Sequence, residues 1–145
     1  MEADRIPGQN HIARYCKPTQ VQDEQVAATA FMLRKGEKCL SVNWLEFLNR
    51  PNRENELTEL RRIYSAKPLQ VGAKGKIAIL NVGEVCEKVR KESPDSRNLD
   101  ILHDPEPNDP SHSGIYNLRE DDELIAELIR EAIRETYPAR AQMQN

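Results

Sequence analysis

The segment HDPEPNDPSH, from His103 to His112, concentrates side chains that could do chemistry. Imidazole can pass a proton near neutral pH, and a carboxylate on its other ring nitrogen sets its tautomer. His103, His112, Asp104 and Asp109 are therefore the candidate catalytic set. Three prolines stiffen the segment and lower the entropic cost of holding polar groups in place. His103 and His112 with Asp104 could also ligate zinc or a similar divalent metal, and His11 could join them if its strand lies nearby. The spacing carries no HExxH, CxxC or finger pattern, so a rigid, solvent-facing loop with no cofactor is the plainer expectation. Ser111, Ser113 and Gly114 flank His112 and suggest an anion-binding loop or a catalytic base. Without a GxSxG elbow no Ser-His-Asp triad follows. Cys16 or Cys39 as a thiol nucleophile with His112 as base is equally permitted by the residue types.

A second grouping recognises anions. His11, Arg14, Tyr15 and Lys17 form a compact basic-aromatic cluster, and a guanidinium fork suits phosphate or carboxylate. Arg34, Lys35 and Lys38 form another around a turn. If the two converged they would make a local anion site, with His11 and Arg14 as its contacts; taken alone, Lys35 and Lys38 solubilise a hairpin tip. GAKGK at 72–76 lacks the spacing and the terminal Ser or Thr of a phosphate-binding Walker loop, and no GxGxxG occurs. Trp44 and Tyr15 are the aromatic candidates for an interface, with core packing the commoner fate of a lone tryptophan.

Two functions are compatible with these residues. One is a small intracellular binding or protein-interaction domain, meeting an unidentified protein or a small anionic ligand partly through the proline-rich acidic loop. The other is a hydrolase or phosphate-acting enzyme that uses the His/Asp set with Arg14 as anion clamp. The residues do not decide whether the protein is an enzyme. The discriminating requirement is spatial: catalysis needs His11 or Arg14 to share a concave pocket with the His103 to His112 segment.

The elements that must position these groups belong to a chain of 145 residues with 38% hydrophobic and 31% charged side chains, enough for one domain with its own core. Its formal charge of −3 makes nucleic acid an unlikely partner. The charge is uneven, with 11 basic and 9 acidic groups in 1–70 and 10 and 15 in 71–145. Three scattered cysteines do not read as a disulfide framework, and no apolar run reaches bilayer length, so a cytoplasmic protein is expected.

Residues 1–10 read as a flexible leader, 11–138 as a single globular domain and 139–145 as a flexible tail. HIARYC, residues 11–16, reads as an edge strand, and 19–25 as a loop. Residues 27–34 and 39–42 read as a hairpin. Asn43 and Glu46 have the spacing of a capping box for a short helix. Residues 54–64 show helical periodicity, and Ile77 to Leu80 form the strongest strand, apolar enough to be buried on both faces. Val82, Val85, Cys86 and Val89 lie on one helical face, 99–102 reads as a short strand and 103–116 as a long loop. Leu124, Ile125, Leu128, Ile129, Ala132 and Ile133 mark a C-terminal amphipathic helix, capped by Asn117 with Glu120 or by Asp121 and ended by Pro138. The expected fold is α+β, a small mixed or antiparallel sheet with helices packed on one side; a compact α/β arrangement is the alternative.

Overall fold

Four successive apolar residues, Ile77 to Leu80, can all be buried in a strand only where a sheet is covered on both faces. The computed structural model, which describes residues 4–67 and 74–140, meets that demand. Among the described residues the chain forms β1 (His11–Cys16), β2 (Val21–Gln22), β3 (Gln25–Val26), β4 (Leu40–Trp44), α1 (Arg53–Ala66), β5 (Lys76–Asn81), α2 (Val82–Glu92), β6 (Asp100–His103), β7 (His112–Tyr116), α3 (Glu123–Glu131) and β8 (Glu135–Pro138). Six strands make one antiparallel sheet in the order β6-β7-β4-β1-β5-β8, and β2 with β3 forms a small ribbon. The fold is α+β.

Alternation along β5 assigns the two layers. Ile77 and Ile79 pack with Leu57, Leu60 and Ile63 of α1, whereas Ala78 and Leu80 pack with Val85 and Val89 of α2 and Ile125 and Ile129 of α3. Helices therefore cover both faces, not one, because a strand apolar at every position leaves neither face for water. Full burial of each of the Ile and Leu side chains contributes about 1.5–3 kcal/mol.

The helices begin where capping side chains occur. Asn52 accepts from the Asn55 amide, Asn81 from the Glu84 amide, and Asp122 from the Ile125 amide. The third cap is thus Asp122, not Asn117 or Asp121. The amphipathic helix ends at Glu131, and Glu135–Pro138 continues as edge strand β8, so a strand and not this helix is the last element described.

Several local expectations are corrected. HIARYC is central, paired to β4 on one side and β5 on the other. The anticipated hairpin does not form: Ala28–Phe31 is a 3-10 turn that sinks Ala30 and Phe31 into the core beside α3. The 19–25 stretch contains the ribbon strand β2, turning at Asp23 and Glu24, both at positive φ as a two-residue hairpin turn requires. Asn43 caps no helix; it lies within β4, and only a 3-10 turn, Glu46–Leu48, follows. Residues 112–116, expected in a loop, form β7 between β4 and β6. Ahead of β1, Ile6 is buried and its amide donates to the Ile101 carbonyl at 3.0 Å. At the other end Ala139 is buried with its amide on the Gly75 carbonyl.

Candidate functional site

The antiparallel ladder between β1 and β4 holds only Ile12↔Trp44 and Ala13↔Asn43. Beyond that point the strands part, and their backbone groups need other partners. Arg14 supplies one: its Nη1 donates to the Ser41 carbonyl at 2.8 Å and its Nε to the Ala30 carbonyl at 2.9 Å. A cleft of about 280 Å³ opens at this parting. Arg14, Lys17, Arg34 and Lys67 line it against two carboxylates, Glu37 and Glu106, with Ser41, Asn43, Tyr64 and His112 completing its wall.

Beneath the cleft a buried polar network ties α1 and the proline-rich loop to the sheet. Asn43 donates from Nδ2 to Asp109 Oδ1 and Ser111 Oγ, both at 2.8 Å, and its Oδ1 accepts from the Tyr64 hydroxyl at 3.2 Å. Lys67 Nζ lies 2.5 Å from Asp109 Oδ2. Asp109 is 1% exposed, so the Lys67 charge and the donors from Asn43 and Ser111 are what make its ionised form tolerable. Burial, then the Asp109 charge, pushes the Tyr64 phenol well above its ordinary pKa, and it serves as a neutral donor. Among the described residues no buried side-chain polar atom lacks a partner. Asp109 is thus a structural post, not an acid facing the cleft.

The post fixes the start of β7. The His112 amide donates to the Asp109 carbonyl, and the Trp44 amide to the Ser111 carbonyl. His112 is 6% exposed; its Nδ1 lies 2.8 Å from the Asp104 carbonyl and its Nε2 lies 3.1 Å from Ser41 Oγ. A carbonyl oxygen only accepts, so Nδ1 carries the proton. In the neutral ring Nε2 is then the acceptor, and Ser41 donates to it. Glu106 Oε2 stands 3.9 Å from the same Nε2. Ser41 is solvent-exposed, and its cross-strand partner is Gly114, where a Cβ would meet Cys39 Sγ at 2.6 Å.

The cationic side carries the electrostatics. Arg14 is half-buried, and burial lowers its pKa from the ordinary value. Among the described residues no carboxylate lies within ion-pair distance of Arg14, Lys17 or Arg34, while Lys67 is committed to Asp109. Among the described residues Nη2 of Arg14 has no acceptor and is not buried, and Arg14 lines the cleft.

The other candidates go elsewhere. His103 sends Nε2 to the Pro110 carbonyl at 2.8 Å and packs its ring on Trp44 and Phe47, with centroids 5.2 and 4.7 Å away. His11 holds Glu46 through both its Nδ1 and its backbone amide. The Asp104 carboxylate accepts from the Tyr116 hydroxyl at 3.3 Å. The metal set His103, His112 and Asp104 therefore does not assemble, and among the described residues no three His, Cys, Asp or Glu side chains converge as a metal requires. The pairing of His11 with Arg14 also fails, because residues three apart on a strand point to opposite faces. The basic clusters do meet in part: Arg14 and Lys17 share the cleft with Arg34, but Lys35 and Lys38 stay outside its lining. Trp44 donates from Nε1 to Asn10 Oδ1 at 2.8 Å, and Tyr15 lines the cleft with its ring 5.6 Å from that of Tyr64.

Thiol chemistry finds no support. Cys16 is fully buried, which pushes its thiol up to about 12, and burial also raises Cys39 and Cys86. A larger depression, about 510 Å³, is lined by Glu24, Lys88, Arg130 and Glu131. There Lys88 pairs with Glu92 and Glu131, and Arg130 with Glu127, so its cations are already occupied.

Sequence reasoning missed Ser41, Tyr64, Lys67 and Glu106, and assigned Asn43 to a cap. The available signal was alternation: in Leu40-Ser41-Val42-Asn43 the apolar residues take one face, leaving Ser41 and Asn43 together on the other. Among protein families, curated proteins and solved structures, none matches this chain.

Proposed function

We propose that the protein binds a small anionic ligand, through a phosphate or carboxylate group, in the cleft where β1 and β4 part. One observation carries the reading: Arg14, Lys17 and Arg34 line one cleft without a carboxylate in ion-pair distance among the described residues, and Arg14 is half-buried there. A sheltered guanidinium whose hydrogen bonds go to carbonyls, with Glu37 in the cleft but beyond ion-pair distance, is favoured by an anion that completes its surroundings. The cleft volume suits a compact group and not a polymer. Calorimetric titration with inorganic phosphate and with acetate at low salt tests the proposal. Binding should weaken as salt rises, and Arg14→Met should cost about tenfold or more in affinity, the worth of a charge-assisted hydrogen bond. A wild-type protein that takes up neither anion would end this reading.

A second reading, a protein-interaction module, is favoured by Phe47. It is 43% exposed and stacks with Trp44 and His103 into a surface aromatic patch. A native pull-down comparing wild type with Phe47→Ser tests it; equal recovery of bound protein removes the patch from the proposal. Three free cysteines support a reducing compartment such as the cytoplasm, and among the described residues no helix is long and apolar enough to cross a membrane.

A further inference from the structure

We propose that Ser41 is a nucleophile with His112 as its general base, and that the cleft hydrolyses a small phosphate monoester whose non-bridging oxygens rest on Arg14. The inference builds on the anion-binding reading and adds a reaction to it. Three features bear on it. Ser41 is exposed on the cleft wall, and its Oγ is in hydrogen-bond reach of an imidazole whose other nitrogen is pinned by the Asp104 carbonyl. That is the nucleophile, base and orienting group of a serine-histidine mechanism, with a backbone carbonyl in the third place. Arg14 holds the backbone carbonyl of Ser41 itself at 2.8 Å and lines the same cleft, which brings the guanidinium to the nucleophile's residue. The cations Lys17 and Arg34 also line the cleft and can balance developing charge. Such groups suit a phosphoryl centre better than an acyl oxyanion.

In the first step the Ser41 Oγ–P bond forms and the bond from phosphorus to the leaving oxygen breaks. The Oγ proton passes to His112 Nε2 and from there to the departing alcohol. In the second step water attacks the phosphoserine, giving a proton to Nε2, the Oγ–P bond breaks, and Nε2 returns the proton to Oγ. The sum is ester plus water to alcohol plus inorganic phosphate. Glu106, near Nε2, favours the transient imidazolium.

The experiment uses the full chain with p-nitrophenyl phosphate, with p-nitrophenyl acetate in parallel. It reads alcohol release, phosphate release, and the intact mass of acid-quenched enzyme, alongside the inorganic phosphate titration described above. Expected are turnover of the phosphate ester, a one-phosphoryl mass increase mapped to Ser41, and loss of both in Ser41→Ala by about a thousandfold or more. Ser41 is exposed, so Ser41→Ala should melt close to wild type, and its phosphate affinity should fall far less than its turnover. His112→Asn should lose turnover as well; if it does not fold, Ser41→Ala decides alone. A wild type that binds phosphate yet shows neither turnover nor adduct overturns the catalytic inference and leaves the binding reading standing. Absence of phosphate binding overturns the binding reading itself. Turnover that survives Ser41→Ala, or cleavage of the acetate ester only, overturns the assignment of nucleophile or of substrate class.

Discussion

Along its β5 side, β1 pairs at every residue from His11↔Asn81 to Cys16↔Lys76, whereas on its β4 side pairing stops after Ile12↔Trp44 and Ala13↔Asn43. The closed seam is flanked by Ile77, Ala78, Ile79 and Leu80, all fully buried, and is held by ladder bonds and apolar packing. The open seam is held by side chains: Arg14 on two carbonyls, and Asn43, Asp109, Ser111, Tyr64 and Lys67 in one network. Hydrophobic contacts are non-directional and tolerate modest changes, while a low-dielectric polar network fails as a unit once a member is left unpaired. The same strand therefore presents a rigid scaffold on one side and a polar cleft on the other.

Substitutions on the two sides sharpen the contrast. Asp109→Ala should be the most damaging, costing about 3 kcal/mol in urea unfolding, because Asn43 Nδ2 loses an acceptor and the Lys67 ammonium its counter-charge. The estimate is at the low end for a buried pair since Lys67 is partly exposed and can turn to water. Gly114→Ala should cost about 1–3 kcal/mol, as its Cβ would press on Cys39 and the Tyr116 ring. The strain falls beside Ser41, so anion affinity should drop with it. On the closed seam, Ile79→Val should cost only about 1 kcal/mol and leave anion binding near wild type. An Asp109→Ala protein as stable as Ile79→Val would show that the network does not carry the open seam.

How much of this was legible in the sequence follows the same division. The strand at Ile77 to Leu80 and the helix bearing Val82, Val85 and Val89 announce themselves by local periodicity and form close to where they were expected. Helix α3, by contrast, ends at Glu131, leaves Ala132 and Ile133 beyond it and exposes Leu124 of the expected stripe. Strand β7 does not announce itself. His112, Ser113 and Gly114 are polar or small, yet all are buried, because the Asp109 post, the Ser41 hydroxyl and the neighbouring strands supply what apolar character supplies elsewhere. Asn43 followed by Glu46 satisfies the spacing of a helix cap, but the alternation of Leu40 and Val42 competes for the same residues and the sheet prevails. His103 and His112 bracket one proline-rich stretch, yet one stacks on Trp44 while the other enters the cleft. Neither hydropathy nor spacing distinguishes them.

The sequence by itself pointed to an α+β domain, with helical segments over 54–64 and 82–89 and near the C-terminal end and a strand buried on both faces, since these depend on contacts within a few residues of one another. It also held a hint of the site in Arg14 and His112. Only the tertiary structure decided that helices cover both faces of the sheet, and that β1 and β4 part after two pairs. It also decided that Ser41, 71 residues from His112, lies in hydrogen-bond reach of it. Those outcomes depend on strand order and on polar partners distant in the chain. Such pairings are selected by what remains unsatisfied once the core has closed.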